Sequence, residues 1–342
     1  MKVKVAVNGY GVIGRRVADA VVLQEDMELA GVADVVTDWR MRIAGRRGFP
    51  IFAATSDARM AMRSAGLEPR GELTDLLRNA DVVVDCTPKG IDAGNRARYE
   101  AAGIRAVFQG GATHELTGHS FVASATYASA LDRRMTRVVS CNTTATVRTL
   151  LALRQAGLLL RARGVLVRRA TDPWESHRQG ILNTMVPEPN IPSHQGPDAK
   201  TVIPELDVIT MASKAPQNVA HLHHWMIDLS RKASRDEVLA AFRAVPRIAF
   251  IRVDDGIEAL NVTAEIMKEL GRPRGDMWEV GIWEDILAVE GQELFYAYQV
   301  DNQAIVVPET IDAIRALMGR VRDGPRSIEM TDTALGVSAR FP

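Results

Sequence analysis

Apolar and polar residues alternate along Met1-Lys2-Val3-Lys4-Val5-Ala6-Val7, the period of two that turns one side of a strand into a core. Just beyond, Ile13, Val17, Ala20 and Val21 recur at helical spacing on one face, which predicts a helix. Residues 27–33 read as a second strand ending at Asp34, and 81–85, 106–108 and 137–140 as further short, mostly valine-rich strands, each preceded by a helix or turn. Strands of this kind alternating with helices predict a parallel, doubly wound α/β sheet covered on both faces.

The pattern changes after Thr144. A helix carrying Leu150, Leu151 and Leu153 leads into longer strands at 165–169, 208–213, 223–229 and 247–253, and residues 284–290 and 293–300 flank Gly291 as a hairpin. Strands with few helices between them predict an α+β second domain on a mainly antiparallel sheet. Pro308 followed by Ile311, Ile314 and Met318 predicts a closing amphipathic helix. The expected division is therefore 1–140 with 302–342 as the first domain and 141–301 as the second. Residues 187–197 form a proline-rich loop whose length suggests a functional role.

Composition narrows the classes of partner. Lysine plus arginine equals aspartate plus glutamate, 42 against 42, so no global field favours nucleic acid or an acidic membrane surface. The N-terminus lacks the apolar run of a signal peptide, and no apolar stretch approaches the roughly 20 residues of a membrane span. Two cysteines, Cys86 and Cys141, do not make a disulfide framework, which makes the cytoplasm the expected compartment.

Gly9-Tyr10-Gly11-Val12-Ile13-Gly14 matches G-x-G-x-x-G directly after a strand and at the opening of a helix, the context of a dinucleotide-binding Rossmann fingerprint. Gly9 serves the tight turn, Gly11 the approach of a pyrophosphate, Gly14 the packing of helix on strand. Unpaired N–H groups at the helix start favour the anion. Asp34, 20 residues beyond Gly14, suits the hydroxyls of an adenosine ribose and repels a 2′-phosphate, which favours NAD; Arg40 and Arg42 leave NADP open if they fold back.

Cys141 sits between a strand and a helix start, where a thiolate is stabilised. On context alone it reads equally as a nucleophile or as a small buried apolar residue; Cys86 takes the second reading. The motifs together say more. Asn8-Gly9-Tyr10-Gly11, Asp85-Cys86-Thr87-Pro88, Phe108-Gln109-Gly110-Gly111, Val139-Ser140-Cys141-Asn142-Thr143-Thr144 and Val167-Arg168-Arg169 resemble glyceraldehyde-3-phosphate dehydrogenases of the archaeal type (type II). Pro192-Ser193-His194-Gln195-Gly196-Pro197-Asp198 and Val307-Pro308-Glu309, followed by Asp312-Ala313-Ile314-Arg315, continue the resemblance in order to about residue 320.

The resemblance implies a phosphorylating, NAD(P)-dependent oxidoreductase of glycolytic type in which Cys141 is the nucleophile. It implies His221, rather than His223 two residues on, as the catalytic histidine, taking the hydroxyl proton as general base. Thiolate attack gives a hemithioacetal, hydride passes to the nicotinamide, and inorganic phosphate cleaves the thioester to 1,3-bisphosphoglycerate. Thr87, Pro88, Gly111, Arg169 and Asn302 then fall on the cofactor. Ser140, Asn142, Thr143, Arg168, His194, Gln195 and Gly196 fall on the substrate or its phosphates. A homotetramer is the family expectation, with no metal.

Three departures fall near the implied substrate pocket. Pro216-Gln217-Asn218 stands where the family has Pro-Thr-Thr, His194-Gln195 where it has His-His, and Thr146 where it has an apolar residue. Asp34 also replaces the family's usual lysine. The changes near the pocket keep open a different phosphorylated or phosphonylated aldehyde, because buried polar contacts discriminate strongly between substrates. A non-catalytic NAD-binding regulator is the alternative of another class.

Overall fold

The computed structural model describes residues 1–109, 111–171, 183–272 and 274–341; Gly110 of the Phe108–Gly111 motif lies outside them. The chain divides into two compact units: Met1–Ser140 with Val307–Gly336, and Cys141–Val306 with Val337–Pro342.

In the first unit seven strands, β1 (Val3–Asn8), β2 (Met27–Asp34), β3 (Ile51–Ala53), β4 (Val82–Asp85), β5 (Arg105–Phe108), β6 (Ser120–Phe121) and β7 (Met135–Val138), form one sheet in the order β3-β2-β1-β4-β5-β7-β6. Every pairing is parallel. Among the described residues seven helices lie between these strands: α1 (Val12–Val22), α2 (Trp39–Arg46), α3 (Ser56–Ser64), α4 (Leu73–Arg78), α5 (Asp92–Ala101), α6 (His114–Thr117) and α7 (Ala123–Ala130). β4 is Val-Val-Val-Asp and buried throughout, as a central strand covered on both faces must be. The last strand runs over Met135–Val138, ahead of the predicted 137–140, because Ser140 already leads into the next helix. The sheet order reverses at β1, whose neighbours are β2 and β4, so a crevice opens at the carboxyl ends of these strands.

The second unit opens with α8 (Cys141–Gln155). Its strands are β8 (Leu159–Arg169), β9 (Val186–Pro187), β10 (Val208–Ala215), β11 (His221–Leu229), β12 (Ile248–Ile251), β13 (Val280–Trp283), β14 (Ala288–Glu290) and β15 (Glu293–Val300). They run in the order β12-β13-β15-β11-β8-β10-β9, with β14 on β15. The sheet is mixed: β10 with β8 and β12 with β13 are parallel, the other pairs antiparallel. α9 (Gln195–Lys200), α10 (Arg235–Arg243) and α11 (Leu260–Glu269) complete the unit. Along β11 buried and less buried residues alternate, so His221, His223 and Trp225 share the inward face.

The structure departs from the expectations at several points. The segment 284–290 is not one strand: Glu284–Ile286 makes a single 3-10 turn before β14, while Gly291, at φ 65°, still closes the hairpin. The 187–197 loop is shortened at both ends by β9 and by α9. The closing helix α12 (Val306–Met318) is amphipathic as expected, yet its polar face is covered too, since Val306 to Leu317 are all buried, and it is followed by α13 (Gly324–Leu335). The last six residues belong with the second unit. There Phe341 joins the core around Ile251 and Trp283, and the Ser338 N–H donates to Glu279. Residues 302–306, expected with the first unit, also group with the second.

Burying α12 all round requires its polar residues to find partners inside the first unit. Thr310 accepts from Gln109, Glu309 from the Ala123 N–H, and Asp312 from Ser327 and Thr331. Arg315, 1% exposed, meets both carboxylate oxygens of Asp26 at 2.8 Å and also Gln24 and Thr331. Arg315→Leu leaves Asp26 and the buried Asp312 without their cation, and is expected to cost about 3 kcal/mol. A loss below about 1 kcal/mol in urea unfolding would show that the pair is not needed.

Candidate active site

In the first unit the sequence-predicted residues converge on one edge. The fingerprint loop follows β1, Asp34 ends β2, Thr87 and Pro88 follow β4, and Gly111 follows β5. Gly9 has φ 93°, and a Cβ there would lie 2.7 Å from the Cys86 carbonyl. A Cβ on Gly14 would lie 1.9 Å from the Gly9 oxygen. The fold itself therefore demands these two. A Cβ on Gly11 meets nothing within 4 Å. No protein neighbour requires that position to be small, whereas a ligand lying on the loop would. Gly11 caps α1 without any side-chain bond, so N–H groups of the first turn face outward, the donor set a pyrophosphate needs. Val12 and Ile13 open that turn, and Tyr10 precedes the cap. Asp34 accepts from the Tyr10 N–H and the Val35 N–H, both 2.7 Å, which fixes its carboxylate beside the loop. Thr87 donates to Asp85 through its N–H and its hydroxyl, so the loop after β4 is held to the strand end. These residues fit a dinucleotide.

In the second unit the strand register assembles the thiol site. Leu222 lies opposite Val167, Ala215 opposite Arg169, and Val300 opposite His221. The ends of β8, β10 and β15 and the start of β11 therefore share one edge, beside the first turn of α8. Cys141 Sγ lies 3.5 Å from His221 Nε2. The Arg169 N–H donates to His221 Nδ1 at 2.9 Å. With Nδ1 an acceptor, the single proton of the neutral ring sits on Nε2, facing the sulfur.

Burial is the dominant influence on both Cys141 and His221. It pushes the Cys141 thiol up to about 11, against the pull of Arg169, the Asn142 N–H and Arg168. It holds His221 well below the usual imidazole range, with His223, Arg169 and Arg168 adding in the same direction. Both arginines thus act on the sulfur, and neither is merely a solvated strand residue. Arg168 pairs with Glu188, which His194 also approaches at 3.7 Å; its Nε is buried with no partner among the described residues.

Other predicted anion ligands are committed elsewhere. Thr143 donates to Asp198 at 2.7 Å, and the Gly196 N–H donates to Thr210 Oγ1 at 3.0 Å. Asn302 accepts from the Ala220 N–H at 3.3 Å, just ahead of His221. Gln195 differs: it is 0% exposed, and neither its amide nitrogen nor its oxygen has a partner among the described residues. Ser140 ends the first unit immediately before Cys141. The sequence reading missed Glu188, Asp198 and Tyr298. The first two lie inside or beside the 187–197 loop flagged as functional, whereas nothing local marks Tyr298.

The model of the glyceraldehyde 3-phosphate dehydrogenase C-terminal domain matches residues 140–269. Among relatives named glyceraldehyde-3-phosphate dehydrogenase, that of Pyrobaculum calidifontis is 44% identical, covering 97% of this chain and 97% of its own. The protein of Thermococcus kodakarensis is 42% identical over 98% of this chain and 99% of its own, and that of Methanosarcina mazei 40% over 98% and 100%.

Among the charges near the sulfur, Arg169 lowers the thiol pKa most. Arg169→Met is expected to raise the pH midpoint of Cys141 alkylation by iodoacetamide, slowing the reaction at fixed pH roughly tenfold for each unit of rise. An unmoved midpoint would remove Arg169 from the activation of the thiol.

Proposed function

The chain belongs to the archaeal-type glyceraldehyde-3-phosphate dehydrogenase family, and from that premise we propose that it oxidises glyceraldehyde 3-phosphate through a thioester on Cys141 to 1,3-bisphosphoglycerate. The observation that carries this reading is the Cys141–His221 pair, 3.5 Å apart beside two arginines. A pure binding protein has no need of it.

A dinucleotide held on the Gly9–Gly14 loop supplies the hydride acceptor when bound. The chain's own residues do the rest. Cys141 gives up its proton to solvent, and its thiolate attacks the aldehyde carbon, leaving the negative charge on the aldehyde oxygen. The Nε2–H of His221 and the Asn142 backbone N–H both point to the sulfur and serve that oxyanion. With Nδ1 occupied by the Arg169 N–H, the role supported for His221 is donation, in place of the general base inferred from the resemblance. Because attack begins from the thiolate, no hydroxyl proton has to be removed before hydride leaves. Phosphate then attacks the thioester carbon, the acyl phosphate departs, and the thiolate returns. Arg168 and Arg169 supply positive charge for the two phosphates, Arg168 by exchanging Glu188 for the anion.

NAD is the proposed cofactor. Asp34 stands at the end of β2, Arg40 grips both oxygens of Asp38, and Arg42 donates to the Ala65 carbonyl, so both candidate 2′-phosphate anchors are engaged. A homotetramer fits the outward face of the second sheet, where Val165, Ile209, Met211 and Met226 are exposed together. Among the described residues no helix is long and apolar enough to cross a membrane, and both cysteines are free, as a reducing cytoplasm would keep them.

The test is formation of reduced cofactor from glyceraldehyde 3-phosphate, with and without inorganic phosphate, NAD and NADP compared. Phosphate-dependent turnover with NAD that falls at least a thousandfold in Cys141→Ser is expected. Absence of turnover with NAD still bound points to another phosphorylated aldehyde. That second reading draws on Gln195, whose unpartnered buried amide awaits a polar group that the family's usual histidine would meet differently.

A further inference from the structure

β11 presents two inward rings, and only His221 is used by the chemistry above. His223, fully buried, places Nε2 2.9 Å from Asn142 Oδ1 and Nδ1 3.0 Å from the Tyr298 hydroxyl. The Tyr298 oxygen lies 3.4 Å from Thr146 Oγ1, one turn along α8 from Asn142. The direction of the chain follows from valence. An amide oxygen only accepts, so Nε2 must carry the proton. Burial, with Arg168 and His224 adding to it, pushes His223 down to about 3, so the ring is neutral and Nδ1 is a bare acceptor. Tyr298 must then donate to Nδ1, leaving its oxygen to accept from Thr146.

We propose that His223 is a positioning residue: braced by Tyr298 and Thr146, it holds Asn142 so that the first turn of α8 keeps its backbone N–H on the Cys141 sulfur. This rests on the reading of Cys141 and His221 given above. The arrangement pairs two consecutive helix residues with two alternate strand residues, Cys141 with His221 and Asn142 with His223. The second contact fixes the register in which the first reaches 3.5 Å. Thr146 is one of this chain's departures from the family pattern, so the far end of the brace is a feature of this sequence. The groups acting on the sulfur include His221, Arg168, Arg169 and, in opposition, Asp301; those facing His223 include Tyr298, His221, Arg168 and His224.

The experiment compares His223→Leu, His223→Gln and Tyr298→Phe in the full-length enzyme, with dinucleotide binding as the check that the chain has folded. Two readouts are taken: the pH profile of Cys141 alkylation without substrate, and kcat and KM for the aldehyde. His223→Leu is expected to raise the alkylation midpoint and lower kcat on the order of 10- to 100-fold, with KM changed less than about threefold. His223→Gln, whose amide nitrogen can donate to Asn142, recovers most of that loss. Tyr298→Phe shifts the profile in the same direction and by less, and stands as the test if His223→Leu does not fold. A folded His223→Leu or Tyr298→Phe enzyme with an unmoved profile and unchanged kcat overturns the proposal, as does a Gln variant no better than Leu. If the parent enzyme fails to turn over glyceraldehyde 3-phosphate but the alkylation profile moves as stated, the substrate reading fails and the positioning role stands.

Discussion

Partial removal of water from the half-buried Cys141 is the constraint on which the rest of the site depends. A buried thiol resists ionisation, and a buried imidazole resists protonation, so a thiolate–imidazolium pair is disfavoured on both sides. What remains available in such a pocket is neutral donors and cations at its rim. That is the arrangement found: a neutral His221 whose proton is turned to the sulfur by a backbone N–H behind it, a helix-start N–H, and Arg168 and Arg169 at the end of β8. Each feature is modest alone. Together they answer one desolvation penalty, and they can do so only because strand register delivers them to the same edge.

How much of this was legible in the sequence depended on distance along the chain. The fingerprint, Asp34 and the Cys141 helix start are local signals, a few residues long, and each sits in its expected element. The brace behind His221 is not local. Asn142 and His223 are separated by 81 residues and His223 and Tyr298 by 75, and no periodicity encodes which of two alternate histidines meets which helix residue. Gly196 shows the converse. Its motif is legible, yet its N–H turns inward to Thr210, because a fold must satisfy its own buried donors before offering any to a ligand.

The same logic explains why both faces of α12 are covered. Ile311, Ile314 and Met318 lie on one stripe, and polar residues lie on the other, which is the usual mark of a surface helix. Here the polar side is buried too, since Glu309, Thr310, Asp312 and Arg315 each meet a partner supplied by a distant segment of the first unit. Composition cannot distinguish a charge facing water from a charge facing its counter-ion.

That helix has a further consequence, for the order in which the protein can be made. The chain passes between its two units at Ser140–Cys141, at Val306–Val307 and at Gly336–Val337. When the ribosome has finished the first 140 residues, the parallel sheet is complete in strands but lacks α12 and α13, and Gln24, Asp26 and Gln109 lack the side chains that satisfy them. The whole second unit except its tail emerges before those partners do. Domains of many proteins fold in order of synthesis. In this chain the first unit is begun first and completed late, and its nascent form carries an open apolar and polar surface for the entire time the second unit is being translated.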